Sequence, residues 1–254
     1  METTIKTQSN LLKYKFVNLD SNVIVTPVIP TGRLAEDIFS ILQENKETVF
    51  NNNRNLSLYL KNGELEGSNL FEAVRLSQLL REYGVRVACP EDWNEQVQQM
   101  IEGRFYTDSP TAVLRDVKDS WNSDNEGLAK VLAEYVDMSR VKREPVWFRE
   151  LKLETAQNDY GLELVPEEDS SIIYDERFLG KYNMWKFTER DNLGLPKDLD
   201  KNRGNRTWYT REDGLSGVYL SRDLDLYSDN RYLASSNEDG RVVLVSGEAT
   251  SKKI

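Results

Sequence analysis

The sequence predicts an α+β fold in two parts: an α/β and helical N-terminal domain over residues 1–143, and a β-rich, loop-rich C-terminal domain over residues 144–254. Apolar residues recur at helical spacing in several segments of the first part, and this periodicity nearly vanishes in the second. The charged segment 139–144 ends at Pro145, which is typical of a domain boundary. At 254 residues, the chain also exceeds the roughly 100 to 150 residues that are most common for one domain.

Composition and charge argue against several classes of function. The net charge of −10 and the lack of a basic block argue against nucleic acid as a partner, because affinity for phosphates comes from clustered Lys and Arg. We find neither a secretory signal nor an apolar run of about 20 residues, so we expect no membrane partner and a cytoplasmic location, or one inside a particle. The chain has no histidine, which excludes Ser-His-Asp, Cys-His and His-based zinc chemistry. Cys89 ends an apolar run, and we expect a buried thiol there.

The first part is predicted to alternate strands and helices. Runs of β-branched and aromatic residues at 13–18 and 23–29 predict a hairpin. The elements that follow are a helix over 33–44 with Thr31 as N-cap, a strand at 56–60, a loop at 61–69, a helix capped by Ser68 and closed by Gly84, and a strand at 85–89. Strand, helix and strand in this order predict a βαβ unit with parallel strands and a right-handed crossover.

A helical layer is predicted to cover this sheet, followed by a mostly β region. The helices are expected over 92–103, 110–121 and 127–138, with Pro110 opening the second. Strands are expected at 146–153, 160–165 and 171–174, and the polar segment 177–206 is predicted to be a long loop with short ordered pieces.

The segment 198–204, DLDKNRG, has the start of a calcium-loop pattern. Asp198, Asp200 and Asn202 occupy the first three ligand positions. The glycine comes one place late, and Tyr209 stands where the final glutamate belongs, so an EF-hand is not expected. We expect no cofactor, with a simpler calcium site as the open alternative, since Asp, Asn and Gly also form ordinary turns.

The segment 208–245 shows the clearest pattern in the chain, because apolar and polar residues alternate along it before a closing VVLV run. The apolar set predicts a buried frame made of Val218, Leu220, Leu224, Leu226, Leu233, Val243 and Val245. The polar set is rich in Tyr, Ser, Asp and Asn, as in antibody paratopes, where Tyr adds contact area at low entropy cost. The candidate ligand-binding residues are Trp208 (as a support), Tyr219, Ser221, Asp223, Asp225, Tyr227, Asp229, Asn230, Arg231, Tyr232, Ser236, Asn237, Glu238 and Asp239.

This region resembles the C-terminal part of C-type-lectin-fold ligand-binding domains, including the hypervariable proteins diversified by retroelements. The resemblance covers about the last fifty residues: WYTR at 208–211, a polar variable middle, and Gly240-Arg241 before an apolar strand. It implies a domain that binds a ligand through its variable surface and catalyses nothing. Val242 stands where many such domains have proline, and the middle lacks their central Asp-Gly turn.

The sequence therefore predicts a non-enzymatic protein that binds a protein or glycan ligand, with self-association left open. One alternative is a metal-dependent hydrolase that uses Asp223 and Asp225, which strand spacing places on one face with Tyr227, together with Asp198 and Asp200. The other is a structural subunit of a larger assembly, such as a virus particle.

Overall fold

A computed structural model describes residues 27–167 and 172–246 of the chain. The helices and strands of this part confirm the predicted α+β class. The α-helices are α1 (Gly32–Thr48), α2 (Leu70–Leu80), α3 (Glu95–Ile101), α4 (Asn125–Ala133) and α5 (Met138–Val141). The strands are β1 (Tyr59–Lys61), β2 (Glu64–Glu66), β3 (Val85–Val87), β4 (Tyr106–Leu114), β5 (Val146–Phe148), β6 (Leu151–Thr155), β7 (Leu162–Pro166), β8 (Ile172–Tyr174), β9 (Trp185–Phe187), β10 (Arg206–Tyr209), β11 (Leu215–Leu220), β12 (Leu226–Asn230), β13 (Gly240–Arg241) and β14 (Leu244–Ser246).

Eight of these strands form a central sheet. Its order is β8-β5-β4-β11-β12-β10-β9, and β13 pairs with the start of β4. The pairs β10–β12 and β13–β4 are parallel, and the other neighbours are antiparallel. Three two-stranded sheets, β1–β2, β6–β7 and β3–β14, lie outside it. Because β4 and β11 lie at its centre, the sheet joins segments from both parts of the sequence.

The predicted division between residues 1–143 and 144–254 is therefore wrong. Strand β4 pairs with β5 on one side and with β11 on the other, and one apolar core draws residues from both sides of position 143. The charged segment 139–144 contains most of α5 and the residues that connect it to β5. Its charged side chains are mostly exposed, while Val141 and Pro145 are buried.

The helix predicted over 110–121 is also wrong, because Pro110 lies inside β4. Proline cannot donate a backbone hydrogen bond, so within a sheet it is tolerated where the pairing is irregular. The register between β4 and β11 shifts directly after Gly217, opposite this proline. The hydroxyl of Ser109 donates to the carbonyl oxygen of Val218 at 2.7 Å, which supplies a side-chain bond where the ladder is interrupted.

The predicted βαβ unit does not form. The segment around Gly63 makes the antiparallel hairpin β1–β2, and β3 pairs in antiparallel with β14. The helix between them is confirmed, but its N-cap is Asn69, whose side chain accepts from the backbone N–H of Glu72 at 2.9 Å. Gly84, at φ 67°, follows the helix as predicted.

Most of the remaining elements match their predictions in kind. Helix α1 follows Thr31, and α3, β3, β7 and β8 fall within or next to the expected ranges. The range 127–138 divides between α4 and α5, and 146–153 divides between β5 and β6. The segment 177–206 is mostly irregular and carries β9. Of the hairpin predicted at 13–18 and 23–29, all but residues 27–29 lie outside the described residues.

The two faces of the central sheet are covered by different elements. Helices α2 and α4 cover one face through a core that includes Leu114 and Leu215. The opposite face packs against α3 and the 177–206 segment, with Trp147 and Trp208 fully buried. A third core lies between α1, α2 and the β3–β14 pair. The helices do not cover the whole of their face, which creates the surface described next.

Candidate ligand-binding surface

Four tyrosines from four adjacent strands form a row across the central sheet. In strand order they are Tyr106, Tyr219, Tyr227 and Tyr209, and we call them the tyrosine row. Tyr219 and Tyr227 stack with ring centroids 4.6 Å apart, and Tyr227 and Tyr209 stack at 4.2 Å. Tyr106 meets Tyr219 edge to face at 5.8 Å. Each aromatic pair stabilises the fold by about 0.5–1.5 kcal/mol more than the burial of its surface area alone would. The row is therefore ordered before any ligand binds.

The row lies on the face that α2 and α4 cover elsewhere. Along β11, Leu215, Gly217 and Tyr219 point to the same side, because side chains alternate along a strand. Leu215 is buried in the helix-covered core, and a Cβ on Gly217 would lie 3.6 Å from Leu70 of α2. Tyr219 lies past the edge of this cover and stays partly exposed. The tyrosines therefore mark the end of the sheet face that the helices leave open.

A pocket of about 220 Å³ opens beside the row. Its lining residues are Tyr106, Tyr219, Asn230, Tyr232, Ser235 and Asn237. The lining thus combines aromatic rings with amide and hydroxyl groups, which can donate and accept hydrogen bonds. Rigid aromatic walls with a few convergent polar groups are typical of ligand sites.

Burial controls the protonation of the groups around the pocket. It raises the pKa of Tyr219 well above the usual range, with a further increase from the nearby Asp229 carboxylate. Burial also raises the pKa values of Tyr106 and Tyr227, so all three phenols remain neutral near pH 7. The hydroxyl of Tyr106 already donates to the carbonyl oxygen of Ser68 at 3.3 Å. Asp108 is buried in β4, two residues after Tyr106, and burial raises its pKa to about 6. The hydrogen bond that it accepts from Ser68 at 2.6 Å lowers this pKa but does not offset the effect of burial.

A buried polar cluster supports the strands behind this surface. Arg115 donates to Phe178, Thr210, Ser216 and Ser228, all through neutral oxygens. Burial lowers the pKa of Arg115 to about 9. Arg211 is ion-paired with Asp119, and both side chains are fully buried. Asp119 also accepts from the amide of Asn125 at 2.8 Å, which connects the 119–125 loop to the sheet.

The loop over 231–240 forms one wall of the pocket and is fastened to the β1–β2 hairpin and the chain before it. The hydroxyl of Ser57 donates to that of Ser236 at 2.7 Å, and Lys61 pairs with Glu238 at 3.0 Å. Arg241 pairs with Glu66 at 2.9 Å. Residues from an early part of the chain, Ser57, Lys61 and Glu66, therefore hold the loop and the start of β13 in place.

Arg231 and Tyr232, at the start of this loop, and Trp121 form a group at the edge of the surface, which we call the Arg231 clamp (Trp121, Arg231 and Tyr232). The guanidinium carbon of Arg231 lies 4.8 Å from the ring centroid of Tyr232 and 5.4 Å from that of Trp121. Tyr232 is 52% exposed and Trp121 is 47% exposed. The clamp therefore extends the candidate surface from the pocket to a second loop.

The structure brings some of the predicted site residues together and separates others. Four of them line the pocket: Tyr219, Asn230, Tyr232 and Asn237. Tyr227 lies in the tyrosine row, Asp229 follows it on the same side of β12, and Arg231 is in the clamp. Ser236, Glu238 and Asp239 belong to the loop wall. The backbone carbonyl of Asp239 accepts from the backbone N–H of Tyr106. The predicted apolar frame is confirmed, since all of its residues are buried.

Trp208 is a correction to the candidate set. Its side chain is fully buried on the opposite face of the sheet, and its indole N–H donates to the carbonyl oxygen of Arg177 at 2.7 Å. It can support β10 but cannot touch a ligand. Because side chains alternate along a strand, the next residue, Tyr209, points to the other face of the sheet, where it is partly exposed.

The aspartates that suggested metal chemistry form turns. Asp223 and Asp225 precede β12 in a turn that also contains Ser221. Asp225 accepts from the backbone N–H of Thr207 at 2.6 Å, while Asp223 is exposed. The expectation that both lie on one strand face with Tyr227 is therefore wrong. Asp198 and Asp200 likewise accept from nearby backbone N–H groups. Over the described ranges, 27–167 and 172–246, no group of three or more acidic or cysteine side chains could hold a metal ion.

Sequence reasoning missed Tyr106 and Trp121, and their segments explain why. Tyr106 precedes the range 110–121 that was predicted to be a helix and Trp121 ends it, so neither was assigned to a strand or loop of this surface. Tyr209 belongs to the segment 208–245 but was not among the predicted contacts, whereas Ser235 belongs to the polar set that was predicted to face a ligand. Strand β4, YTDSPTAVL, is buried at every position after Tyr106 and does not alternate apolar with polar residues, so no local pattern identifies Tyr106 as a surface residue.

Comparisons of this chain with family models, curated proteins and solved structures find no match in any of the three. None of the helices in the described part is long and apolar enough to span a membrane. The geometry of the surface itself is therefore the basis for the functional proposal.

Proposed function

We propose that this protein is a non-enzymatic binding protein whose ligand, a protein or a glycan, contacts the pocket and the tyrosine row. The observation that carries the proposal is the pocket formed by Tyr106, Tyr219 and Tyr232 together with amide and hydroxyl side chains. Buried strands hold two of these tyrosines, so little freedom remains to be lost on binding. Rigid Tyr with adaptable Asn and Ser is the combination that antibody paratopes use.

The arrangement of the rings indicates how the surface would make contact. Tyr227 stacks on Tyr209 and on Tyr219, so ring faces inside the row are already in use. What remains for a ligand is the ring edges and above all the neutral hydroxyl of Tyr219, since the hydroxyl of Tyr106 already donates to Ser68. We therefore infer that the row recognises its ligand through hydrogen bonds, while the more exposed Tyr232 supplies apolar contact area.

We extend the proposal to fold and origin. The segment 208–211 lies in and just after β10, and Gly240–Arg241 forms β13, which supports a C-type-lectin-like domain diversified by a retroelement. A neighbouring reverse transcriptase gene and a near-copy of the codons for 208–245 would be expected. A conserved, uncopied locus would contradict this part. The cytoplasm, or the interior of a particle, is the proposed location.

A paired screen tests the proposed function. Fluorescently labelled chain is applied to a protein microarray and to a glycan array, and each hit is measured by calorimetry. Tyr232→Ala should weaken binding about 30-fold or more, as for an interface hot spot. Tyr219→Phe, which removes one hydroxyl, should weaken it about 3- to 10-fold.

Tyr135→Ala is the matched control, because Tyr135 is 49% exposed but lies between α4 and α5, away from the pocket residues. It should leave affinity unchanged. Hits that bind all three variants equally well would place the binding surface elsewhere. Light scattering on the free chain, run in parallel, would show whether a second copy is the ligand.

A further inference from the structure

Arg231 is held by two exposed rings but lacks an anionic partner. Within the described ranges, no carboxylate oxygen lies within 4.0 Å of its guanidinium nitrogens, and its side chain makes no hydrogen bond. Six other arginines of comparable or greater burial are ion-paired, and Arg115, Arg190 and Arg206, which are not, still donate to neutral oxygens of the chain. The six ion-paired residues are Arg75, Arg86, Arg149, Arg177, Arg211 and Arg241. The donors of Arg231 are therefore free for a group from outside the chain.

The backbone below the guanidinium is fixed. The carbonyl oxygen of Arg231 accepts from the amide of Asn122 at 2.8 Å and from that of Asn125 at 3.0 Å. Asn125 is itself bonded to the buried Asp119. The clamp is thus attached to the polar cluster inside the protein, so a partner would pay little to order it.

Resting on the proposed function, we propose that Arg231 binds a carboxylate of a partner protein, from an Asp or Glu side chain, between Trp121 and Tyr232. A guanidinium presents its N–H groups in a planar fork that matches a carboxylate in two parallel hydrogen bonds. The two rings exclude water from its sides, which strengthens such a pair relative to one in open solvent. Asp229 is near enough to feel the charge of Arg231 but does not pair with it.

The composition of the clamp favours a protein over a glycan. Trp, Tyr and Arg are the residues most enriched at energetic hot spots of protein–protein interfaces. The clamp also lies beside the pocket and includes Trp121 from a separate loop, so pocket and clamp together form a surface wider than the pocket alone. An acidic side chain in the clamp and neighbouring residues over the tyrosine row would use both regions.

The test is a peptide selection followed by a double-mutant cycle in which each charge is neutralised in turn. Phage-displayed random peptides are selected on the wild-type chain, and their affinities are measured for wild type and for Arg231→Gln. The selected peptides should share an Asp or Glu and should lose about 10-fold or more in affinity for the variant. Replacing that acid in the peptide by its amide should cause an equal loss, and the two changes together should cost no more than either alone.

Arg140→Gln is the matched control. Arg140 also stacks on a tyrosine, at 3.9 Å from the ring centroid of Tyr174, but it is already paired with Glu144. It should leave peptide affinity unchanged.

The outcomes separate this inference from the proposed function. If Tyr232→Ala weakens every peptide and Arg231→Gln weakens none, the binding surface stands and the carboxylate site is overturned. If neither variant has an effect, both proposals fail. If no acidic peptide is selected while carboxylated glycans on an array bind through Arg231, the protein partner is overturned.

Discussion

The two ends of strand β11 face the same side of the sheet but lie in different surroundings. Leu215 is buried under α2 and α4, whereas Tyr219 lies beyond the helices in a row of partly exposed tyrosines. Both positions are held by pairing with β4. At the covered end, apolar side chains pack against the helices. At the open end, the backbone is held by the same strand pairing, but the tyrosine side chains are partly exposed. We infer that the covered end contributes more to the free energy of unfolding and that the open end is available for binding a ligand.

The largest expected effect lies in the covered region. Asp119→Ala would remove the fully buried partner of the Arg211 guanidinium and leave only the part-exposed Asp213 at 3.3 Å. Breaking a buried ion pair costs about 3–5 kcal/mol. Urea unfolding should show this loss as a lower midpoint. Lys197→Ala, which breaks an exposed pair with Glu189, is the control and should cost less than about 1 kcal/mol. Equal losses would mean that the Arg211 pair does not stabilise the fold.

A second substitution probes the apolar cover itself. Leu215→Ala removes a fully buried side chain and should lower the free energy of unfolding by about 2–5 kcal/mol, the range for large-to-small changes in cores. Chemical denaturation measures it. A cost below about 1 kcal/mol would show that α2 and α4 do not pack tightly over this end of β11.

Asp108 lies at the border between the two regions and should make stability depend on pH. Its folded pKa of about 6 exceeds the ordinary aspartate pKa of 3.8, so the folded state retains a proton that the unfolded state releases. This contribution is present at low pH and is lost as the pH rises from about 4 through about 6. Asp108→Asn should match wild type near pH 4 and exceed its free energy of unfolding by about 3 kcal/mol at pH 8. A constant difference between the two proteins across this range would refute the buried titration.

The smallest stability effect is expected at the open end. Tyr219→Phe keeps the ring stack with Tyr227 and removes a hydroxyl that makes no hydrogen bond inside the described part of the chain, so stability should change by less than about 1 kcal/mol. Thermal and urea unfolding measure it. Tyr227→Ala, which removes a ring stacked on both sides, should cost more than Tyr219→Phe. The reverse order would contradict the role assigned to the row.

Much of the pocket was predictable because alternation along a strand depends only on the sequence. The buried residues of β11 and the pocket residue Tyr219 follow from that alternation. Tyr232 lies in the 231–240 loop, and only the polar and aromatic composition of the segment indicated it. Trp208 could not be placed, since in WYTR alternation alone does not say which of two adjacent aromatic rings points inward. Asp223 and Asp225 fit a strand by spacing, but the turn around Leu224, at φ 63°, takes them out of it.

The sequence alone determined the α+β class, most of the helices and strands, and the polar and apolar sides of the closing segment, because local periodicity and turn residues set these. The tertiary structure decided that a single central sheet spans the predicted boundary. It also decided that Tyr106 and Trp121 join the surface, and that α2 and α4 stop short of the tyrosine row. These features depend on pairing between strands far apart in the chain, and on a proline accommodated by a register shift, neither of which leaves a local pattern.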